Sequence, residues 1–421
     1  MGYNKTVLDN GVRIVTDNLP NTRSASLGIW VDAGSRDEVN RERGVFHFIE
    51  HMIFKGTKDR TAVQISKELD ALGGYSNAFT SKEKTCFHAR IVDTKLKRLT
   101  ELFSDIFLYS IFDERELELE RSVILQEINM VEDTPDEYIQ TLFEQNFWKG
   151  NPLGRPILGT REAVKKISRK NLLNYISRFY SPERIVIAAA GCVDHDDLVG
   201  YFKPFFDSLL VSEDSIPVRV RPLATPSIST YRKDLEQVHI CLGAQASSMR
   251  EKARFPDLVF NTILGGNMSS RLFQEIREKR GLAYSVFSYI SSFMDTGAER
   301  VYLATDKEKV NESMELIGSI IKTIQEKNID GLDLTRAKEY LKDGILLGLE
   351  SMDSMMMRLA KNEFVFGKYV TYEELMKDIE DVTMNEVLEA ARRIFMPGNI
   401  SLAVLGPIDQ NSIDLSPVTL T

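Results

Sequence analysis

Two histidines and a glutamate stand in one short apolar run, Arg43-Gly44-Val45-Phe46-His47-Phe48-Ile49-Glu50-His51-Met52-Ile53-Phe54-Lys55-Gly56. In a helix, His47 and His51 are one turn apart and Glu50 lies between them, so the three polar groups fall on or near one face. Phe46, Phe48, Ile49 and Met52 surround that face and predict burial. Unpaired polar groups in an apolar setting cost on the order of 2–7 kcal/mol each. A metal ion compensates them economically. Two imidazoles can ligate it, while the glutamate, held off the metal, takes a proton from a bound water, which is the His-x-x-Glu-His order of zinc hydrolysis.

A zinc site that works on water usually has a third protein ligand. The segment from Asp113 to Val131 begins acidic and becomes apolar, which predicts a long helix with its first carboxylates at the positive end of the dipole. Glu120 and Glu127 are two turns apart on it and share a face. Glu127 is the candidate ligand, because Val123, Ile124, Ile128 and Val131 surround it, whereas most glutamates of the chain read as a solvated face. His88, His195 and His239 read as ordinary polar residues near strands or turns. The run Ser351-Met352-Asp353-Ser354-Met355-Met356-Met357 reads as packing filler on a helix.

The elements that must position these groups follow from the chain in order. Residues 5–18 predict a hairpin, Ser24 to Gly34 a strand, and Thr61 a helix start closed by Gly73-Gly74. Two strands are expected around the turn Ser81 to Lys84, then a helix carrying Leu96, Leu99, Phe103 and Ile106. The length of 421 residues predicts two domains. A proline-rich shift in composition marks a linker at 212–230, which divides the chain into 1–211 and 231–421. The halves are related. Ile167 to Gly191 recurs without a gap as Val382 to Gly406, each reading helix, proline stop, buried strand, glycine turn. Val238 to Gly243 mirrors the strand around Gly28, and Pro256 to Gly266 takes the place of the metal helix without a histidine.

Composition narrows the partners. A formal charge of −9 argues against nucleic acid, whose phosphates call for a basic surface. No run approaches the roughly 18–20 apolar residues of a membrane span. The first residues enter strand and Asn-Gly turn chemistry at once, which leaves no room for a secretion signal. Cys86, Cys192 and Cys241 are odd in number and set in apolar surroundings, as expected of reduced thiols. A cytoplasmic location follows, with the mitochondrial matrix as the alternative.

With these motifs in place, the chain resembles the inverted zinc metallopeptidases of the pitrilysin, insulin-degrading enzyme and mitochondrial processing peptidase family, in a short form of one duplicated unit. The likeness runs from about Leu8 to Gly406. It is most specific at His47-Phe-Ile-Glu-His51 with Glu127, at Gly73 to Thr80, at Asn151 to Pro156 and at Ser270 to Tyr284. The resemblance implies an α+β fold of two similar domains, each an antiparallel sheet with helices on one face. It implies one zinc per chain on His47, His51 and Glu127, with Glu50 as general base and Glu120 supporting a ligand. Asn77 and Ala78 match an edge strand to which a peptide adds. Arg277 and Tyr284 match a pair that holds the substrate and polarises the scissile carbonyl.

Two positions depart from the processing peptidase. Its long glycine-rich loop is absent, with Gly265-Gly266-Asn267 in that place. Glu137 matches one of two acidic positions offered to a substrate arginine, but the second is Thr141. The expected function is a zinc endopeptidase acting on extended or unfolded peptides. The alternatives are the catalytic subunit of a heteromeric processing peptidase and a non-catalytic scaffold subunit. Because longer family members close two such units on each other, the resemblance also implies a homodimer whose Arg277 and Tyr284 act at the zinc of the other copy.

Overall fold

The computed structural model describes residues 2–212, 216, 218–326 and 329–415. The first half contains β1 (Gly2–Val7), β2 (Arg13–Asn18), β3 (Ser24–Val31), α1 (Val45–Met52), α2 (Ala62–Leu72), β4 (Tyr75–Thr80), β5 (Thr85–Val92) and α3 (Leu96–Tyr109). It continues through α4 (Glu114–Asp133), α5 (Pro135–Phe147), α6 (Arg161–Val164), α7 (Arg169–Phe179), β6 (Ile185–Gly191) and α8 (His195–Phe206). The second half runs β7 (Ile228–Arg232), β8 (Val238–Ala246), α9 (Arg254–Leu264), β9 (Ala283–Ser292), β10 (Gly297–Thr305), α10 (Val310–Gln325) and α11 (Gly331–Gly348). It ends with α12 (Met352–Phe366), α13 (Tyr372–Glu380), α14 (Met384–Ile394) and β11 (Ser401–Gly406).

Local chemistry sets many of these boundaries. Thr61, Ser168 and Thr383 each open a helix by accepting the backbone N–H three residues on, and Gln64, Asn171 and Glu386 return the bond. The predicted linker is shorter than expected, since β7 begins inside it at Ile228. Residues 213–215 and 217 of that linker lie outside the described residues.

Each half builds one sheet. The first has the order β1-β2-β6-β3-β5-β4 and the second β7-β11-β8-β10-β9. Leaving out β1, the two orders match strand for strand, so the repeat seen in sequence is a repeat of architecture. The expected antiparallel pairing holds at every described pair but one in each sheet: β2 runs parallel to β6, and β7 to β11. These pairs join strands far apart in the chain, where no tight turn forces reversal.

Neighbouring residues on a strand point to opposite faces, and here both faces are covered. In the first sheet Ile14, Ile29 and Ile187 face the core with α1, α3, α7 and α8, while Val15, Trp30 and Val186 face Met352, Met355 and Met356 of α12. The methionine run is therefore packing, as read. In the second sheet Ile240, Leu242 and Val301 face α9, α10 and α14, and Cys241, Tyr302 and Ala403 face Phe143 and Phe147 of α5. The expectation of helices on one face is corrected by α12 and α5, because strands apolar on both sides bury the second face too. Each central strand places a glycine under that helix. A Cβ on Gly28 would lie 2.8 Å from Met356 Sδ, and one on Gly243 would lie 2.7 Å from Phe143 Cζ.

The covering helices make the packed units discontinuous. One unit gathers Met1–Met130, Arg155–Arg219 and Leu347–Tyr369, and the other Val131–Gly154, Val220–Leu346 and Val370–Thr421. The halves of the repeat have thus exchanged α5 and α12. Arg219, the last residue of its segment, is held in the first unit by Asp32 at 2.9 Å and Asp37 at 2.7 Å.

Candidate metal centre

The helix α1 begins at Gly44, whose φ of 91° suits glycine and whose missing side chain cannot cap the helix. The Glu38 carboxylate takes that part, accepting the N–H of Gly44 at 2.8 Å and of Phe46 at 3.0 Å. Burial pushes this carboxyl up to about 8 against the pull of the two donors. Sequence reading did not single out Glu38, because the contact depends on a loop path that no periodicity encodes.

With the start of α1 fixed, its apolar residues enter the core, and His47 and His51 project together with ring centroids 4.6 Å apart. From α4, Glu127 Oε2 lies 3.5 Å from His47 Nε2 and 3.6 Å from His51 Nε2. Ligands about 2.0–2.2 Å from a tetrahedral zinc stand roughly 3.3–3.6 Å from each other, so this donor set fits the ion. It is the one such group of histidine, cysteine or acidic side chains among the described residues. His88, His195 and His239 take no part. His195 bridges Thr6 and Thr16, and His239 bonds the Tyr302 hydroxyl at 2.9 Å.

The three side chains shift one another's protonation. Burial, helped by the neighbouring His51, lowers His47 to about 4 against the opposing pull of Glu127, so its ring is neutral at pH 7. Burial also disfavours charge on His51, but Glu127 and Glu120 outweigh it and raise its pKa. The neighbouring His51, aided by His47, holds Glu127 below the ordinary carboxylate range despite burial. Glu120 Oε2 bonds His51 Nδ1 at 2.9 Å, which leaves Nε2 as that ring's free donor atom, and Glu120 Oε1 receives Lys55 Nζ at 2.5 Å. His47 Nδ1 is buried without a hydrogen-bond partner among the described residues.

Glu50 is not one of the three clustered donors. Burial raises its pKa, while Thr80, through hydroxyl and backbone, and His51 counter the shift. Its Oε2 is buried and unpartnered among the described residues. Thr80 closes the quoted Gly73 to Thr80 segment but carried no assigned role in sequence. One sequence argument is corrected: Val123 does not shelter Glu127, being 45% exposed, while Ile124 and Ile128 are buried. The histidine pair borders Glu127 instead.

The remaining candidates are placed as follows. Asn77 and Ala78 lie on β4, the last strand of the first sheet. Arg277 sits in a π-helical turn, Phe273–Glu278, with its guanidinium 4.7 Å from the ring centroids of both Phe273 and Tyr284. Tyr284, near the start of β9, is 80% exposed. Glu137 is exposed on α5, one turn before Thr141. These last three belong to the second unit.

The family model described as insulinase (peptidase family M16) matches residues 13–161, and that of the peptidase M16 inactive domain matches 166–341. An uncharacterized zinc protease of Mycobacterium leprae (strain TN) is 40% identical over 410 residues, covering 96% of this chain and 92% of that protein. The uncharacterized zinc protease YmxG of Bacillus subtilis (strain 168) is 37% identical over 398 residues, covering 94% and 97%. A crystal structure of a protease from Helicobacter pylori superposes with a TM-score of 0.91 at 21% identity, covering 96% of this chain and 99% of that one. A peptidase M16 inactive domain from Pseudomonas fluorescens gives 0.90 at 18%, covering 97% and 98%. At such identities these two speak for the fold.

Proposed function

The chain belongs to the insulinase family of peptidases, family M16, and on that premise we propose that it is a zinc endopeptidase that cuts extended or unfolded peptides. The observation that carries this reading is the meeting of His47, His51 and Glu127 from two helices, with the carboxyl of Glu50 buried beside them. No helix among the described residues is long and apolar enough to cross a membrane. We place the protein in the cytoplasm, in keeping with its three unpaired thiols.

In this reading His47, His51 and Glu127 would hold the ion. A zinc ion bound there would supply Lewis acidity and lower the pKa of a bound water toward neutrality. Glu120 fixes the ring of His51. Glu50 takes the proton from the attacking water and passes it to the leaving amine nitrogen. The open edge of β4 at Asn77 and Ala78 receives the peptide as an added strand, which reads backbone more than side chains. Arg277 holds the substrate, and the Tyr284 hydroxyl donates to the carbonyl oxygen as charge develops there. Glu137 offers its carboxylate to a basic substrate residue.

We further infer a two-fold homodimer in which Arg277 and Tyr284 of one copy act at the zinc of the other. The deciding experiment is zinc analysis and peptide cleavage on purified protein beside Glu50→Gln, which should keep zinc and lose turnover. Near-normal cleavage by that variant overturns the assignment of the base. Mixing inactive Glu50→Gln and Tyr284→Phe chains should restore activity if the site is completed in trans. No recovery despite proven subunit exchange rejects that arrangement.

A further inference from the structure

β4 ends its sheet, and its far side has no strand partner among the described residues. The bond from Ser81 N–H to Lys84 O sets the alternation of the β4–β5 hairpin. Counting back in twos, Phe79, Asn77 and Tyr75 exchange bonds with β5, while the N–H and C=O groups of Ser76, Ala78 and Thr80 point to the open side. Thr80 on that side lies close enough to Glu50 to lower the pKa of its carboxyl. A peptide added along this edge therefore runs toward the proposed base.

The donor it would meet at Ala78 is already taken. Asn77 Oδ1 accepts the Ala78 N–H at 2.9 Å, and Asn77 Nδ2 donates to the Tyr75 hydroxyl at 2.7 Å. One carboxamide thus covers the edge, and an exposed tyrosine two residues away holds it there. An uncovered edge strand is a template for unwanted pairing, and a short polar side chain bonded to its own backbone blunts it.

We propose that the Asn77 carboxamide is a displaceable cover on the peptide-binding edge and that Tyr75 is the positioning residue that keeps it closed. The proposal rests on the reading that peptides add to β4. An entering strand exchanges one local side-chain bond for backbone bonds along the edge. Loosening the cover therefore favours binding without touching the chemistry at Glu50.

The test uses the full-length protein with a short fluorescein-labelled extended peptide and a series of the same peptide N-methylated at successive backbone positions. Tyr75→Phe should lower KM about two- to tenfold with kcat unchanged, the range expected for losing one exposed hydrogen bond. In the Glu50→Gln background, the same change should tighten peptide binding by the same factor. If KM is unchanged or raised in Tyr75→Phe while N-methylation at one register still abolishes binding, the cover is overturned and strand addition stands. If N-methylation has no effect at any position, strand addition itself fails and the cover falls with it.

Discussion

The two halves of this chain share a scaffold and differ in what one helix places on it. α7 and α14 are each 11 residues long, each opens with the same reciprocal cap, and each feeds a buried strand ending in glycine. The helix after the central strand diverges. α1 brings His47, Glu50 and His51 beside the acids of α4, whereas α9 brings Val259, Phe260 and Ile263 into an apolar core. The acid of α9, Asp257, accepts the Ser247 N–H at 2.9 Å and pairs with Arg393. The scaffold is thus built by strand pairing and two-sided helix packing that both halves possess, and among the described residues only one of them carries the cluster of two histidines and a glutamate.

The comparison breaks first at α1. Glu50→Gln is expected to lower kcat by about 10²–10⁴ with zinc retained, because an amide keeps the shape and cannot take a proton. His51→Ala should lose the ion as well. Elemental analysis run beside peptide cleavage separates the two outcomes.

The packed unit without the histidine pair should matter for stability instead. Phe143 fills the space above Gly243, and Phe143→Ala is expected to lower the unfolding free energy by about 3–5 kcal/mol. Denaturant unfolding measures this, and zinc affinity of the folded protein should not change. A fall in zinc affinity would show that the halves are less separable than their cores suggest.

A smaller effect belongs to Glu120. Glu120→Gln should weaken zinc affinity by about 10–100-fold through a poorly oriented His51, and added zinc should restore cleavage. Titration against a competing chelator reads it directly.

The smallest effect sets the halves against each other in pH. Burial alone would raise Asp32, but Arg219, Lys84 and Arg184 hold it well below the usual carboxylate range. Its contribution is present above its unfolded pKa of about 3.9 and is lost as pH falls through the lower folded value. Glu299 has the opposite sign. Fully buried, with neither oxygen partnered among the described residues, it is raised well above 4.5, by burial first and Asp257 second. Its contribution is present below its unfolded pKa of about 4.3 and is lost as pH rises toward the folded value. Hydrogen exchange should loosen β3 as pH falls below about 3.9 and β10 as pH rises above about 4.3, and Glu299→Gln should abolish the second loss alone. If both strands lose protection in acid, the assignment fails for Glu299.

Much of this molecule was legible because its information is local. A one-turn spacing of imidazoles inside an apolar run, a two-turn spacing of glutamates and a threonine that opens a helix closed by a glycine pair are local patterns that need no tertiary knowledge. The duplication was legible for the same reason, as two gapless copies of helix, proline and buried strand. By these means the sequence alone determined the helix that carries His47, Glu50 and His51, the long helix that carries Glu120 and Glu127, and the repeat of two halves.

Tertiary packing decided the rest. The exchange of α5 and α12 depends on which apolar face meets which sheet, and apolar faces carry no address in their periodicity. The same holds for Glu38 capping α1 and for the parallel pair β2–β6. Each joins groups whose meeting is set by loop paths and buried area rather than by spacing along the chain. Even the Asn77 cover, made between residues two apart, has meaning only because the sheet ends at β4 and leaves the Ala78 N–H on its open side.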